Sequence, residues 1–121
     1  MSECVAIDAE NFEREVLQFP GLVVLDFGAS WCAPCRQMEP IIESLARENG
    51  DPMLKFGKVD VEASPTIATR YRVQGLPTVV FFRNGEPVES VVGFQGREAL
   101  QRRIEAHRVR CEQVCRRHVS S

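Results

Sequence analysis

The period of hydrophobic positions along this chain changes several times, and each change predicts an element. Leu22-Val23-Val24-Leu25-Asp26-Phe27 is a short, β-branched, nearly unbroken apolar run, the pattern of a strand buried on both faces. Upstream, Glu3 to Ile7 alternates weakly and predicts an edge strand. Asp8 is placed to cap a helix whose Phe12, Val16 and Phe19 recur at helical spacing before Pro20-Gly21 stops it. Downstream, Met38, Ile41, Ile42 and Leu45 share one face of a helix predicted from Ala33 to about Asn49, with a kink expected at Pro40. Gly50-Asp51-Pro52 closes it, and Met53 to Val61 predicts the next strand, with Leu54, Phe56 and Lys58 pointing one way. Ser64 as cap and Pro65 at the first helical position begin a short helix with Ile67, Ala68 and Tyr71 on its apolar side. Val79 to Phe82 and Val88 to Val92 form a hairpin across Asn84-Gly85. A last helix starts at Arg97, with Leu100, Ile104, His107 or Arg108, Cys111, and Val114 or Cys115 on one side. The order β-α-β-α-β-α-β-β-α implies an α/β fold: a central mixed five-stranded sheet with helices on both faces.

Composition narrows this picture. With 121 residues, 26% of them charged, and a net charge of −2, the chain is a single ordinary globular domain. The N-terminus has no basic region followed by an apolar run, and no segment reaches the length of a membrane span. The expectation is a cytoplasmic monomer without membrane association. Residues 97–121 hold seven Arg and three Glu, so the basic charge gathers at the C-terminal end while the remainder is acidic. That excess is too small for nucleic-acid binding, and a solvated helix face is its plainer meaning.

The chemistry centres on Trp31-Cys32-Ala33-Pro34-Cys35, at the junction between the buried strand and the long helix. A thiol at a helix start faces unpaired backbone N–H groups and the positive end of the helix dipole, which favour thiolate. Cys32 is thereby set up to attack, and the two-residue spacing lets Cys32-Cys35 close to a disulfide and reopen. Half of a zinc site is an alternative, although no second ligand pair follows within the next sixty or so residues; a structural disulfide is another. Asp26 is a second signal, since a carboxylate inside an apolar strand is costly unless it has a partner or a use. Five cysteines cannot make a complete internal disulfide framework, and Cys4, Cys111 and Cys115 remain outside the motif. His107, Cys111 and Cys115 step at helical spacing toward His118, a pattern open to a metal ion, a second disulfide, or simply an amphipathic helix face.

Taken together, Asp26, Trp31-Cys32-x-Pro34-Cys35, Pro40, Lys58, Gly75-Leu76-Pro77-Thr78, Asn84-Gly85 and Gly93 resemble the thioredoxin family, over residues 3 to about 108. The resemblance implies the thioredoxin fold, and a thiol–disulfide oxidoreductase that reduces protein disulfides. It makes Cys32 the exposed nucleophile and Cys35 the buried resolving thiol, with Asp26 accepting the Cys35 proton through water and Lys58 tuning Asp26. It also implies a cis Leu76–Pro77 bond and a substrate groove shaped by Trp31, Ala33, Pro34, Leu76, Pro77 and Gly93. No metal and no bound cofactor are implied; reducing equivalents would come from NADPH through thioredoxin reductase, the second partner beside disulfide-containing proteins. The departures are Ala33 where glycine is most often found, Gly28 where tryptophan is common, and a C-terminal extension. The expected division is therefore a domain at 1–109 and a helical or frayed tail at 110–121. The alternative function is a redox-sensing or binding module working through the cysteines of that tail.

Overall fold

The apolar run from Leu22 becomes strand β2 (Leu22–Gly28), and Leu22, Val23, Val24, Leu25 and Phe27 are each at most 2% exposed. The structure, a computed structural model, describes the backbone of residues 3–120 and the side chains of residues 3–108. Around β2 lie β1 (Cys4–Ile7), β3 (Leu54–Asp60), β4 (Thr78–Arg83) and β5 (Glu86–Val92), in the sheet order β1-β3-β2-β4-β5. β1, β3 and β2 are parallel, β4 runs antiparallel to β2 and β5 antiparallel to β4, which is the mixed sheet expected. Helices α1 (Ala33–Glu48) and α3 (Arg97–Ser120) cover one face, and α2 (Pro65–Arg70) lies on the other.

Strand alternation divides the core. Leu22 and Val24 meet Met38, Ile42 and Leu45 of α1 and Leu100 and Ile104 of α3; Val23, Leu25 and Phe27 meet Phe12, Val16 and Ile67 on the opposite side. By the same alternation Asp26 faces the α1 side, in register with Lys58 on β3 and Val79 on β4.

Several expectations are corrected at this level. The segment after Asp8 is a five-residue π-helix, Glu13–Leu17, closed by Gln18 N–H donating to the Glu13 carbonyl at 2.9 Å, so Phe19 lies beyond it. Asp8 is not its cap: Phe12 holds the N-cap position with no side-chain capping bond, and Asp8 Oδ1 instead accepts the Glu10 and Asn11 amides at 2.9 and 3.0 Å in the turn before the helix. Ser64 occupies the N-cap position of α2 but makes no capping bond with its side chain, and that short helix is held instead by burial of Ile67 and Ala68. At the final helix the inward residue is His107, stacked on Phe81 at 5.1 Å between ring centroids, with Nε2 2.8 Å from Glu89 Oε1. α3 continues to Ser120; the Cys111, Cys115 and His118 side chains lie outside the described residues.

The β4–β5 hairpin turns on Asn84 (φ 53°) and Gly85 (φ 80°), both left-handed, as a tight turn between twisted strands requires. Pro87 is tolerated because β5 is an edge strand, and the register shifts beside it, where Phe81 pairs with Glu89 and Phe82 with Pro87. A Cβ at Gly85 would stand 2.4 Å from the Leu17 carbonyl oxygen, so the turn also needs its glycine for close approach. Gly85→Ala is expected to lose about 1–3 kcal/mol in urea unfolding, with the m-value unchanged.

Candidate active site

Cys32 sits at the N-cap of α1 with extended backbone (φ −87°, ψ 109°), and Ala33 and Pro34 begin the helix where Pro34 sacrifices no intrahelical bond. The Cys32 Sγ accepts the Cys35 amide at 3.3 Å, so the sulfur itself does the work of a capping side chain. Negative charge developing on that sulfur is stabilised by this amide and by the helix dipole. Cys32 and Cys35 form a disulfide with their Cα atoms 5.2 Å apart.

Their exposure departs from expectation. Both cysteines are 6% exposed, because both pack against Ala29, Val61 and Leu76. What distinguishes them is the space each one faces. Cys32 lines an open groove of about 550 Å³ with Trp31, Ala33, Pro34 and Leu76. Cys35 lines a separate cavity of about 390 Å³ shared with Asp26, Gly28, Glu39 and Lys58. The groove also includes Val61, Val73 and Gln74, which sequence reasoning missed, since only the fold brings those loop residues beside the disulfide. Trp31 is 65% exposed on it.

Pro77 and Gly93, expected in the groove, are not among its lining residues. The Leu76–Pro77 bond is cis, Pro77 is buried, and the Gly93 amide donates to the Pro77 carbonyl at 2.8 Å. This bond ties the end of β5 to the start of β4, next to Leu76.

Gly28 explains the size of the inner cavity. A Cβ there would lie 3.3 Å from Cys35 Cβ and 3.4 Å from its Sγ, so any side chain would pack directly on Cys35. Asp26, 7% exposed, opens on the same cavity, and its Oδ1 has no hydrogen-bond partner among the described residues. Burial pushes its carboxyl up to about 7; the nearby Glu39 carboxylate adds to the rise and Lys58 opposes it. The Lys58 ammonium lies 3.6 Å from Glu39 Oε1 and 3.7 Å from Glu43 Oε1. Glu39 and Glu43 escaped sequence reasoning, although their i, i+4 spacing on a helix crossing the Asp26–Lys58 register was a usable signal.

Among the described residues, no group of three or more His, Cys, Asp or Glu could hold a metal ion. Cys4 is the free cysteine there, half-buried, its thiol pushed up to about 12 mainly by burial. It therefore stays protonated and unreactive at neutral pH.

A Cys-x-x-Cys disulfide at a helix N-cap, with one sulfur on a surface groove and the other over a buried carboxyl, defines a dithiol thiol–disulfide oxidoreductase. Comparison with known proteins agrees. The family model described as Thioredoxin matches residues 3–106. A thioredoxin of Mycolicibacterium smegmatis is 39% identical over 105 residues, covering 85% of this chain and 93% of its own. One from Bacillus subtilis is 42% identical over 98 residues, covering 81% and 91%. The solved structure of a mutant thioredoxin from Halobacterium salinarum superposes with a TM-score of 0.79 at 36% identity, covering 88% of this chain and 91% of that one. The chain belongs to the thioredoxin family, and its fold is the thioredoxin fold.

The raised Asp26 carboxyl has a consequence for stability. Its folded value, about 7, lies above the ordinary carboxylate value of 3.8, so the folded protein binds the proton more tightly than the unfolded chain. The corresponding stability is complete below about pH 4 and is lost as pH rises to about 7. An elevation of this size is worth up to about 4 kcal/mol. Melts of Asp26→Ala and wild type from pH 4 to 8 are therefore expected to diverge as pH rises, with the variant more stable near neutrality.

Proposed function

We propose that this protein reduces disulfides in other proteins, with Cys32 as nucleophile, Cys35 as resolving thiol and Asp26 as the proton acceptor. The observation that carries the assignment is the position of the two sulfurs. Cys32 caps α1 beside the groove, whereas Cys35 lies one turn inward, over the cavity that holds Asp26. The Cys32 thiolate attacks one sulfur of a substrate disulfide, forming a mixed disulfide and releasing the other sulfur as thiolate. Asp26 takes the Cys35 proton, through water across the inner cavity. The Cys35 thiolate then attacks Cys32 Sγ, and the second substrate thiolate departs. Two electrons have passed to the substrate, and Cys32–Cys35 is oxidised.

Substrate segments dock in extended form along Trp31, Ala33, Pro34 and Leu76, on a surface whose shape is maintained by Pro77 and Gly93. The chain binds no cofactor; NADPH reduces the Cys32–Cys35 disulfide by way of thioredoxin reductase. The protein acts as a cytoplasmic monomer, without membrane or nucleic acid. No described helix is long and apolar enough to cross a membrane, which is in keeping with that location. Residues 1–109 are the redox unit and 110–121 an extension, a division supported by a family match that stops at residue 106.

An insulin reduction assay with NADPH and thioredoxin reductase tests the scheme. Wild type is expected to consume NADPH continuously, and Cys32→Ser to fall to background. Cys35→Ser is expected to lose turnover while accumulating mixed disulfides visible by mass spectrometry, because attack survives and resolution does not. Sustained turnover by Cys32→Ser would remove the assignment of the nucleophile. Truncation after Arg108 is expected to leave the rate within about twofold of wild type, as befits an extension outside the redox unit.

A further inference from the structure

Lys58 and Asp26 are neighbours across the parallel β3–β2 ladder, close enough for a lysine side chain to reach the carboxylate. The ammonium instead points to Glu39 and Glu43 on α1, while Asp26 Oδ1 has no partner among the described residues. We propose that Glu39 and Glu43 are positioning residues for the dithiol: they hold the Lys58 ammonium on α1, so that Asp26 faces the Cys35 cavity without a cationic partner.

Magnitudes support an electrostatic role and not a stabilising one. Lys58 and Glu39 side chains are 42% and 49% exposed and meet at 3.6 Å, so solvent screens the pair and it adds little to folding. Asp26 is buried, where nearby charge acts through a lower dielectric and has a larger effect. Glu39 and Glu43 also stand one turn apart on the same helix, where two like charges repel unless a cation bridges them. Lys58 is that bridge. The charged and titratable groups around Asp26 are Lys58 and Asp60 on β3, Cys35, Glu39 and Glu43 on α1, Cys4 on β1, and Asp8 at the cavity mouth. Burial first and the Glu39 carboxylate second favour the protonated Asp26 carboxyl, and Lys58, paired with Glu39 and Glu43, opposes them. That proton must leave before Asp26 can act as a base, so on top of the effect of burial the α1 carboxylates, through their hold on Lys58, raise the pH at which resolution by Cys35 becomes fast.

This inference rests on the proposed role of Asp26, and the experiment separates the two. The Asp26 carboxyl carbon is titrated by NMR in the oxidised protein, which needs no turnover. Glu39→Gln is expected to lower the Asp26 midpoint by roughly half a unit or more, the scale of one nearby charge, and Glu39→Gln with Glu43→Gln to lower it further. Glu98→Gln, an equal change of net charge in an exposed position on α3, is expected to leave it in place. Lys58→Met is expected to raise the midpoint and to shrink the effect of Glu39→Gln in the same chain. The pH dependence of insulin reduction should move down with the midpoint in Glu39→Gln. An unchanged midpoint in folded Glu39→Gln overturns the proposal, as does a shift of equal size with and without Lys58, since Glu39 would then act without it. Normal turnover with an unmoved midpoint removes only this inference; absent turnover with a moved midpoint removes only the proposed function.

Discussion

β2 is paired on both edges, by β3 in parallel and β4 antiparallel, and packed on both faces, so its position is tied to four surrounding layers of contacts. A strand so enclosed ends at a fixed point, and the turn that leaves it delivers Cys32 to the N-cap of α1. The reactive sulfur is positioned by the most buried strand in the molecule through a short turn. This rigidity is what lets a single backbone amide, that of Cys35, be aimed at Cys32 Sγ.

The same enclosure creates the electrostatic cost at Asp26. Alternation sends that residue toward α1, on the same face as Leu22 and Val24 of the apolar core, where no partner meets its Oδ1 among the described residues. A carboxylate in such a place is held near neutral by loss of solvent. The cavity that Asp26 shares with Gly28 and Cys35 lies beside it.

Much of this was legible in the residues. β-branched density in Leu22–Phe27, period-two and period-3.6 spacing elsewhere, and Asn84-Gly85 identified the elements because each reports a local backbone preference or a one-dimensional burial pattern. The errors fell where local signals compete weakly with packing. Phe12, Val16 and Phe19 suggested a longer helix than the π-turn that forms, because Phe12 is drawn into contact with Tyr71 and Phe82, residues far along the chain. Ser64 had the form of a cap yet caps nothing, being buried where the sheet meets α2.

By itself the sequence determined the order of elements, the reactive pair at a helix start and the oddity of an acid in an apolar strand, since each depends on neighbours within a few residues. Only the tertiary structure decided what surrounds that pair. Equal burial of Cys32 and Cys35, the Gly93–Pro77 hydrogen bond, the entry of Val73 and Gln74 into the groove, and the pairing of Lys58 with Glu39 and Glu43 all join residues from separate elements. Such contacts depend on how α1 and the loops lie across the sheet, and spacing along one chain carries no measure of that crossing.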